Sequence, residues 1–308
     1  MRGSYGSDLR RRPTTGTTAT TAGALLTATV LLAGCTLGSG GGDGDGGSDQ
    51  AVKRPSPRAT PPWDTRPRSL ASVGDSISRG FDACSVLRDC PEVSWATGTE
   101  VDSLARRLRP SGSEGVRSWN HAKTGAVMAD LPAQMRAATA HKPELVTVLI
   151  GANDACQDSV GDMTTAADFR ADFTTALTSL RRELPKTQVY VASVPDLKRL
   201  WSQGRNNLFG RQVWKLGICP SMLKDSTADD AASVERRHQV ENRVDEYNAV
   251  LKDVCGKDSR CRYDDAVHNY QFTTDELSKW DWFHPNKEGQ KALADMAYRE
   301  ITRKEPTA

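Results

Sequence analysis

No apolar run in this 308-residue sequence reaches the ~20 residues that a bilayer-crossing helix requires. An excess of either charge is equally absent: 41 basic residues face 39 acidic ones, a net +2, which excludes a nucleic-acid binder held by a large basic surface and an acidic disordered tail protein. No two cysteines have C-x-x-C spacing, so zinc-ribbon and thioredoxin-like chemistry are disfavoured. Hydrophobic residues make up only 37%, less than a compact domain carries. Part of the chain must therefore lie outside any core.

That part is near the N-terminus, where seven of the 25 glycines fall between Gly38 and Gly47 and five of the 15 prolines between Pro55 and Pro67. Ahead of it, Arg10, Arg11 and Arg12 precede an apolar stretch from Ala22 to Ala33. This has the length of a signal-peptide core, and Pro13, Thr14 and Thr15 favour general secretion over twin-arginine export. The stretch ends in Leu32-Ala33-Gly34-Cys35, which resembles a bacterial lipobox. The resemblance implies cleavage after residue 34 and acylation of Cys35; ordinary cleavage near Ala33 is the alternative. The expected mature protein, nearly neutral, is held by lipid at the outer face of the bacterial cytoplasmic membrane. Residues 35–67 then form a Gly/Ser/Pro-rich tether with a reach of roughly 30 Å, and residues 68–308 the folded domain.

Six cysteines remain: Cys84, Cys90, Cys156, Cys219, Cys255 and Cys261. An even number in an exported chain implies disulfides. Sequential pairing is the expectation, with Cys84/Cys90 and Cys255/Cys261 as local staples and Cys156/Cys219 as a long-range bridge.

From Leu70 onward, short apolar runs alternate with helical patterns, the signature of a mostly parallel sheet between two helical layers, flavodoxin-like in arrangement. Strands are expected at Leu70 to Val73, Val116 to Trp119, Leu145 to Ile150 and Val189 to Val194. Phe169, Phe173, Leu177 and Leu180 mark one apolar helix face, Val240, Val244, Tyr247 and Leu251 another, and Leu293, Met296, Ala297 and Ile301 a last one. Residues 195–232 show no clear periodicity and are expected to form a loop excursion over the site. Trp95, Trp201, Trp214, Trp280 and Trp282 are expected in core or rim packing before any ligand contact.

In such sheets chemistry sits at the carboxyl ends of the strands, and the informative residues fall there. Gly74-Asp75-Ser76 follows the first strand; alone it reads equally as a capped turn. A serine nucleophile needs a base, and the base an orienting carboxylate. Among five histidines, His284 stands three residues after Asp281 and just before Pro285, which resists a helical conformation at His284. His121, His141, His238 and His268 are its competitors, with His141 and His238 most easily read as surface residues. Donors for a developing oxyanion are offered by Asn153, after the third strand, and by the backbone of Gly125, after the second.

In this order, Gly74-Asp75-Ser76, Gly125, Asn153 and Asp281-x-x-His284 resemble the blocks of the SGNH/GDSL hydrolase family over nearly all of residues 70–302, with isoleucine after Ser76 where the family's name has leucine. The cysteine pattern resembles the secreted actinobacterial esterase and phospholipase-B-like members. The resemblance implies Ser76 as nucleophile, His284 as base and then acid, Asp281 as its orienting carboxylate, and an oxyanion hole from Ser76, Gly125 and Asn153. It implies a carboxylic-ester hydrolase acting on a small-molecule, lipid or glycan ester, with an O-acetylesterase of polysaccharide as one alternative and a non-catalytic ligand-binding lipoprotein as another. No metal or other cofactor is expected, no nucleic-acid partner, and a monomer is the expected state.

Overall fold

The computed structural model describes residues 63–109 and 116–306. Cys35, with the expected signal peptide and most of the tether, lies outside the described residues. Five strands, β1 (Ser69–Gly74), β2 (Arg117–Asn120), β3 (Leu145–Leu149), β4 (Gln188–Ala192) and β5 (Cys261–Asp264), form one sheet in the order β2-β1-β3-β4-β5. Every pairing is parallel. β1, β3 and β4 are buried along their whole length, as continuous apolar runs covered on both faces should be. β2 and β5 are the partly exposed edges. β5 is not among the expected strands, because Cys261-Arg262-Tyr263-Asp264 carries no apolar run.

On one face the Leu131–Thr139 helix packs against Ala166–Glu183, which packs against Ala231–Gly256. The C-terminal Lys287–Thr302 helix and the short Leu104–Arg107 helix pair with each other, and the former also meets β4. The expected apolar stripes are the buried ones: Phe169, Phe173, Leu177 and Leu180; Val240, Val244, Tyr247 and Leu251; Leu293, Met296, Ala297 and Ile301. Together the layers form a three-layer α/β/α sandwich. All three expected disulfides are present, Cys84–Cys90, Cys156–Cys219 and Cys255–Cys261.

Residues 195–232 are not the loop expected of them. Helices run over Leu197–Gly204, Leu208–Trp214 and Pro220–Leu223. Two of them start on a side-chain cap: Asp196 accepts from the Arg199 N–H at 2.8 Å, and Asn207 from the Gly210 N–H at 2.8 Å. Segments this short carry too few turns to show a period, yet they bury Leu197, Leu200, Trp201 and Trp214. Trp95 is buried as well, while Trp280 and Trp282 are half-buried.

The chain leaves β1 for β2 on one side and returns to β3 on the other. This reversal opens a crevice beyond the carboxyl ends of β1 and β3, the place where open parallel sheets bind ligands.

Candidate active site

At the end of β1 the backbone turns at Gly74, whose φ is +146° and whose missing Cβ would lie 2.1 Å from the Leu149 carbonyl oxygen. Only glycine permits that approach. The Gln134 side chain grips the same residue, accepting from the Gly74 N–H at 2.7 Å and donating to the Gly74 carbonyl at 2.9 Å. Asp75 then caps a one-turn helix, Ser76–Arg79, by accepting from the Ile77 N–H at 3.0 Å. Ser76 is the first residue of that helix, so its N–H has no intrahelical acceptor.

The Ser76 hydroxyl meets His284, 208 residues away in sequence, with Oγ and Nε2 2.9 Å apart. On the other side of the ring Nδ1 lies 2.5 Å from Asp281 Oδ2. Asp281 Oδ1 accepts from the N–H groups of Phe283 and His284 at 2.9 and 3.0 Å, which fixes the carboxylate against the ring edge it serves. Phe81 and Phe283 meet the imidazole edge to face at 5.0 and 5.5 Å. The other histidines are elsewhere. His121 and His141 stack on one another, and His141 on Trp119; His238 pairs with Glu241, and His268 with Asp245.

A cavity of about 190 Å³ opens over Ser76 and His284, with Gly125 and Asn153 in its wall. Gly125 has φ +82° and nothing within 4 Å of the place a Cβ would occupy. Among the described residues, no hydrogen bond uses its N–H. The Asn153 amide donates one hydrogen to the Ala126 carbonyl at 2.9 Å, which leaves its second for the cavity. The next residue, Asp154, accepts from the Met128 N–H at 2.9 Å, so the Gly125 loop is tied to the end of β3 twice. The Cys156–Cys219 bridge joins that same end to the far wall, where Gly217, Ile218 and Cys219 line the cavity.

Three residues that no site motif marks hold this arrangement: Gln134, Trp214 and Gln290. Asp82 is buried with φ +57°. Burial and the neighbouring Asp281 charge push its carboxyl up to about 6. The Trp214 indole N–H donates to the Asp281 carbonyl at 2.6 Å. Gln290 donates to the Ile77 carbonyl at 3.0 Å and accepts from the Trp95 N–H at 2.8 Å, bracing the Ser76 turn from the C-terminal helix. No local pattern marks Gln134, Trp214 or Gln290 as part of the site, because each acts on a partner far along the chain.

Burial disfavours the charged imidazole of His284, but the carboxylates of Asp281, Asp82 and Asp75 outweigh it and hold its pKa above the usual 6.5. Burial would raise Asp281, yet the same pairing outweighs it and holds that group below 3.8. For Asp75 burial outweighs the Ile77 N–H and His284 and pushes the carboxyl up to about 7, and burial pushes Asp154 up to about 6. Chemically the arrangement is a hydroxyl that can pass its proton to an imidazole whose far side is anchored by an anion, beside donors that no protein acceptor uses.

A GDSL-like lipase/acylhydrolase profile matches residues 70–297. Among solved structures, a catalytic mutant of Axe2, an acetylxylan esterase from Geobacillus stearothermophilus, is similar at 16% identity and TM-score 0.50, covering 78% of this chain and 97% of its own. The esterase EstA from Pseudoalteromonas sp. is similar at 13% identity and TM-score 0.46, covering 76% and 96%. The extracellular lipase from Streptomyces rimosus has 18% identity and TM-score 0.44, covering 74% and 99%. No curated protein matches the chain in sequence. With the profile spanning β1 through most of the C-terminal helix, the chain belongs to the GDSL-like lipase/acylhydrolase family of ester hydrolases.

Proposed function

We propose that this protein is an exported, lipid-anchored serine esterase for short-acyl esters, working through an acyl-Ser76 intermediate. The observation that carries the reading is the Ser76–His284–Asp281 hydrogen-bond series opening on a 190 Å³ cavity. Ser76 Oγ attacks the carbonyl carbon while His284 Nε2 takes its proton, and the new oxyanion is met by the N–H groups of Ser76 and Gly125 and the Asn153 amide. The ester C–O bond then breaks and the alcohol leaves with the proton from His284. Water, activated by the same imidazole, releases the acid. Asp281 holds the tautomer that keeps Nε2 free to accept.

The cavity is below the ~300–1,000 Å³ of pockets that hold drug-sized ligands, and its apolar wall is formed by Pro195, Leu197, Leu200 and Ile218. This favours a short acyl group, and with it the reading of a glycan O-acetylesterase over a long-chain lipase. On p-nitrophenyl esters from acetate to palmitate, turnover by residues 68–308 should be highest on the shortest chains and fall steeply beyond butyrate. Rates that climb toward palmitate would sink the short-acyl reading.

The anchoring part of the proposal rests on Leu32-Ala33-Gly34-Cys35. Among the described residues no helix is long and apolar enough to cross a membrane. In a bacterial host with lipoprotein processing, the full chain should take up labelled palmitate and fractionate with membranes, and Cys35→Ala should do neither. Label retained by the variant would refute the anchor.

The pH dependences of activity and stability should run in opposite directions. The base must be neutral, so kcat/KM should fall as pH drops through the raised pKa of His284, with a midpoint above 6.5. Stability behaves differently because Asp75, Asp82 and Asp154 bind protons more tightly folded than unfolded. Their contribution is complete below about 3.8 and is lost as pH rises through about 6 to 7. His284 adds to the same trend, its contribution being complete below 6.5 and lost above. Calorimetry from pH 4.5 to 8 should show Tm falling while kcat/KM rises. A Tm that rises across that window would contradict the burial of these carboxyls.

A further inference from the structure

Beside the reaction cavity lies a larger one, of about 650 Å³, and Gly217 lines both. Its wall carries Arg211, Lys215 and Lys224 against a single carboxylate, Asp225. Other cations on the same excursion have partners: Arg205 pairs with Asp229 at 3.0 Å, Lys198 with Glu241 at 2.7 Å, and Arg199 donates to the Phe272 carbonyl at 3.0 Å. Arg236 donates to the carbonyls of Pro220, Ser221 and Lys224. Among the described residues, the three that face the cavity form no ion pair, and the Arg211 Nε is buried with no hydrogen-bond partner at all. That Nε is closed to the cavity, so an anion there would be met by the terminal Nη groups of Arg211, which among the described residues donate to no protein acceptor. Arginine with flanking lysines is the set that recognises a carboxylate or a phosphate.

The rest of the wall points to the ligand's other atoms. Trp214 and Leu223 are its apolar surfaces, and Gln212, Ser226 and Thr227 supply amide and hydroxyl groups, a mixture suited to a sugar ring with its hydroxyls. The small acyl cavity weighs against a long-chain phospholipid. We propose that this cavity is a subsite for the carboxylate of an acidic saccharide, so that the ester cleaved at Ser76 is one borne by a uronate-containing glycan. The acyl group occupies the small cavity, and the sugar extends past Gly217 with its carboxylate toward Arg211. This rests on the esterase reading for the cleaved bond, but not for the binding.

The test uses two substrates that differ only in the carboxylate, monoacetylated methyl glucuronoside and monoacetylated methyl glucoside, with acetylated glycerol phosphate as a third. The intact domain should favour the glucuronoside over the glucoside by about tenfold or more in kcat/KM, and the ratio should collapse toward one in Arg211→Gln and shrink with added salt. Equal rates on the two glycosides would overturn the subsite. A preference for the glycerol phosphate ester over both would overturn the saccharide and assign the cavity to a phospholipid headgroup. Calorimetric titration of Ser76→Ala protein with methyl glucuronoside separates this proposal from the esterase reading. Binding that disappears in Ser76→Ala/Arg211→Gln supports the subsite even if no ester is turned over, and no binding in Ser76→Ala refutes it even if neutral esters are cleaved.

Discussion

Ser76→Ala should lower kcat by on the order of 10⁶-fold, the loss found when the nucleophile of a serine triad is removed, with little change in Tm. The Ser76 hydroxyl has His284 Nε2 as its side-chain partner, and no packing void follows from deleting one oxygen on the cavity wall. The turn itself is held by groups the substitution leaves in place: the Gln134 amide on Gly74, the Asp75 cap on Ile77, and Gln290 on the Ile77 carbonyl. Activity near the parent level in a variant with unchanged circular dichroism and Tm would remove Ser76 from the mechanism. A large drop in Tm would instead show that the hydroxyl holds the turn, contrary to the contacts seen.

Asp281→Asn should cost about 10⁴-fold in kcat, the size of the effect when a triad carboxylate becomes an amide. The geometry explains why so small a change matters. Oδ1 of residue 281 is fixed by the N–H groups of Phe283 and His284, and an asparagine keeps both bonds by leaving its oxygen there. Its NH₂ must then occupy the Oδ2 position, 2.5 Å from His284 Nδ1. Two donors cannot share that contact, so Nδ1 must turn acceptor and the ring proton moves to Nε2, where the Ser76 proton should go. The acid limb of the pH profile should also move down, because the anion that raises His284 is gone. A variant within tenfold of the parent, or with an unmoved acid limb, would contradict this role for Asp281.

Both substitutions concern residues whose types and order are legible in the sequence, and that legibility ends for physical reasons. The helices with long apolar stripes, such as Phe169 to Leu180, are readable because each spans enough turns for a 3.6-residue period to show. The excursion over 195–232 is not, since its helices are one or two turns long and begin on Asp196 and Asn207 caps, residue types equally at home in loops. β5 escapes for a related reason: an edge strand of Cys261-Arg262-Tyr263-Asp264 needs only its inner face buried, and Arg262 and Asp264 are the buried residues. Gln134, Trp214 and Gln290 carry no local signal for the site, because a buried amide or indole acquires its meaning from the distant backbone group it meets.

The order of residues alone dictates local features: a glycine at the turn that follows β1, a serine at the head of a helix turn, an aspartate three residues before a histidine kept out of a helix by Pro285, and a spacing of strands that calls for a parallel sheet. These follow from sterics and periodicity over a few residues. Long-range packing, by contrast, was needed to bring Ser76 and His284, 208 residues apart, to 2.9 Å, to draw the cavity wall to the end of β3 through Cys156 and Cys219, and to turn Arg211, Lys215 and Lys224 toward a common cavity. The reason is that parallel strands deliver all their carboxyl ends to one edge of the sheet, and the packing of distant segments over that edge sets which side chains meet and which charges remain unanswered.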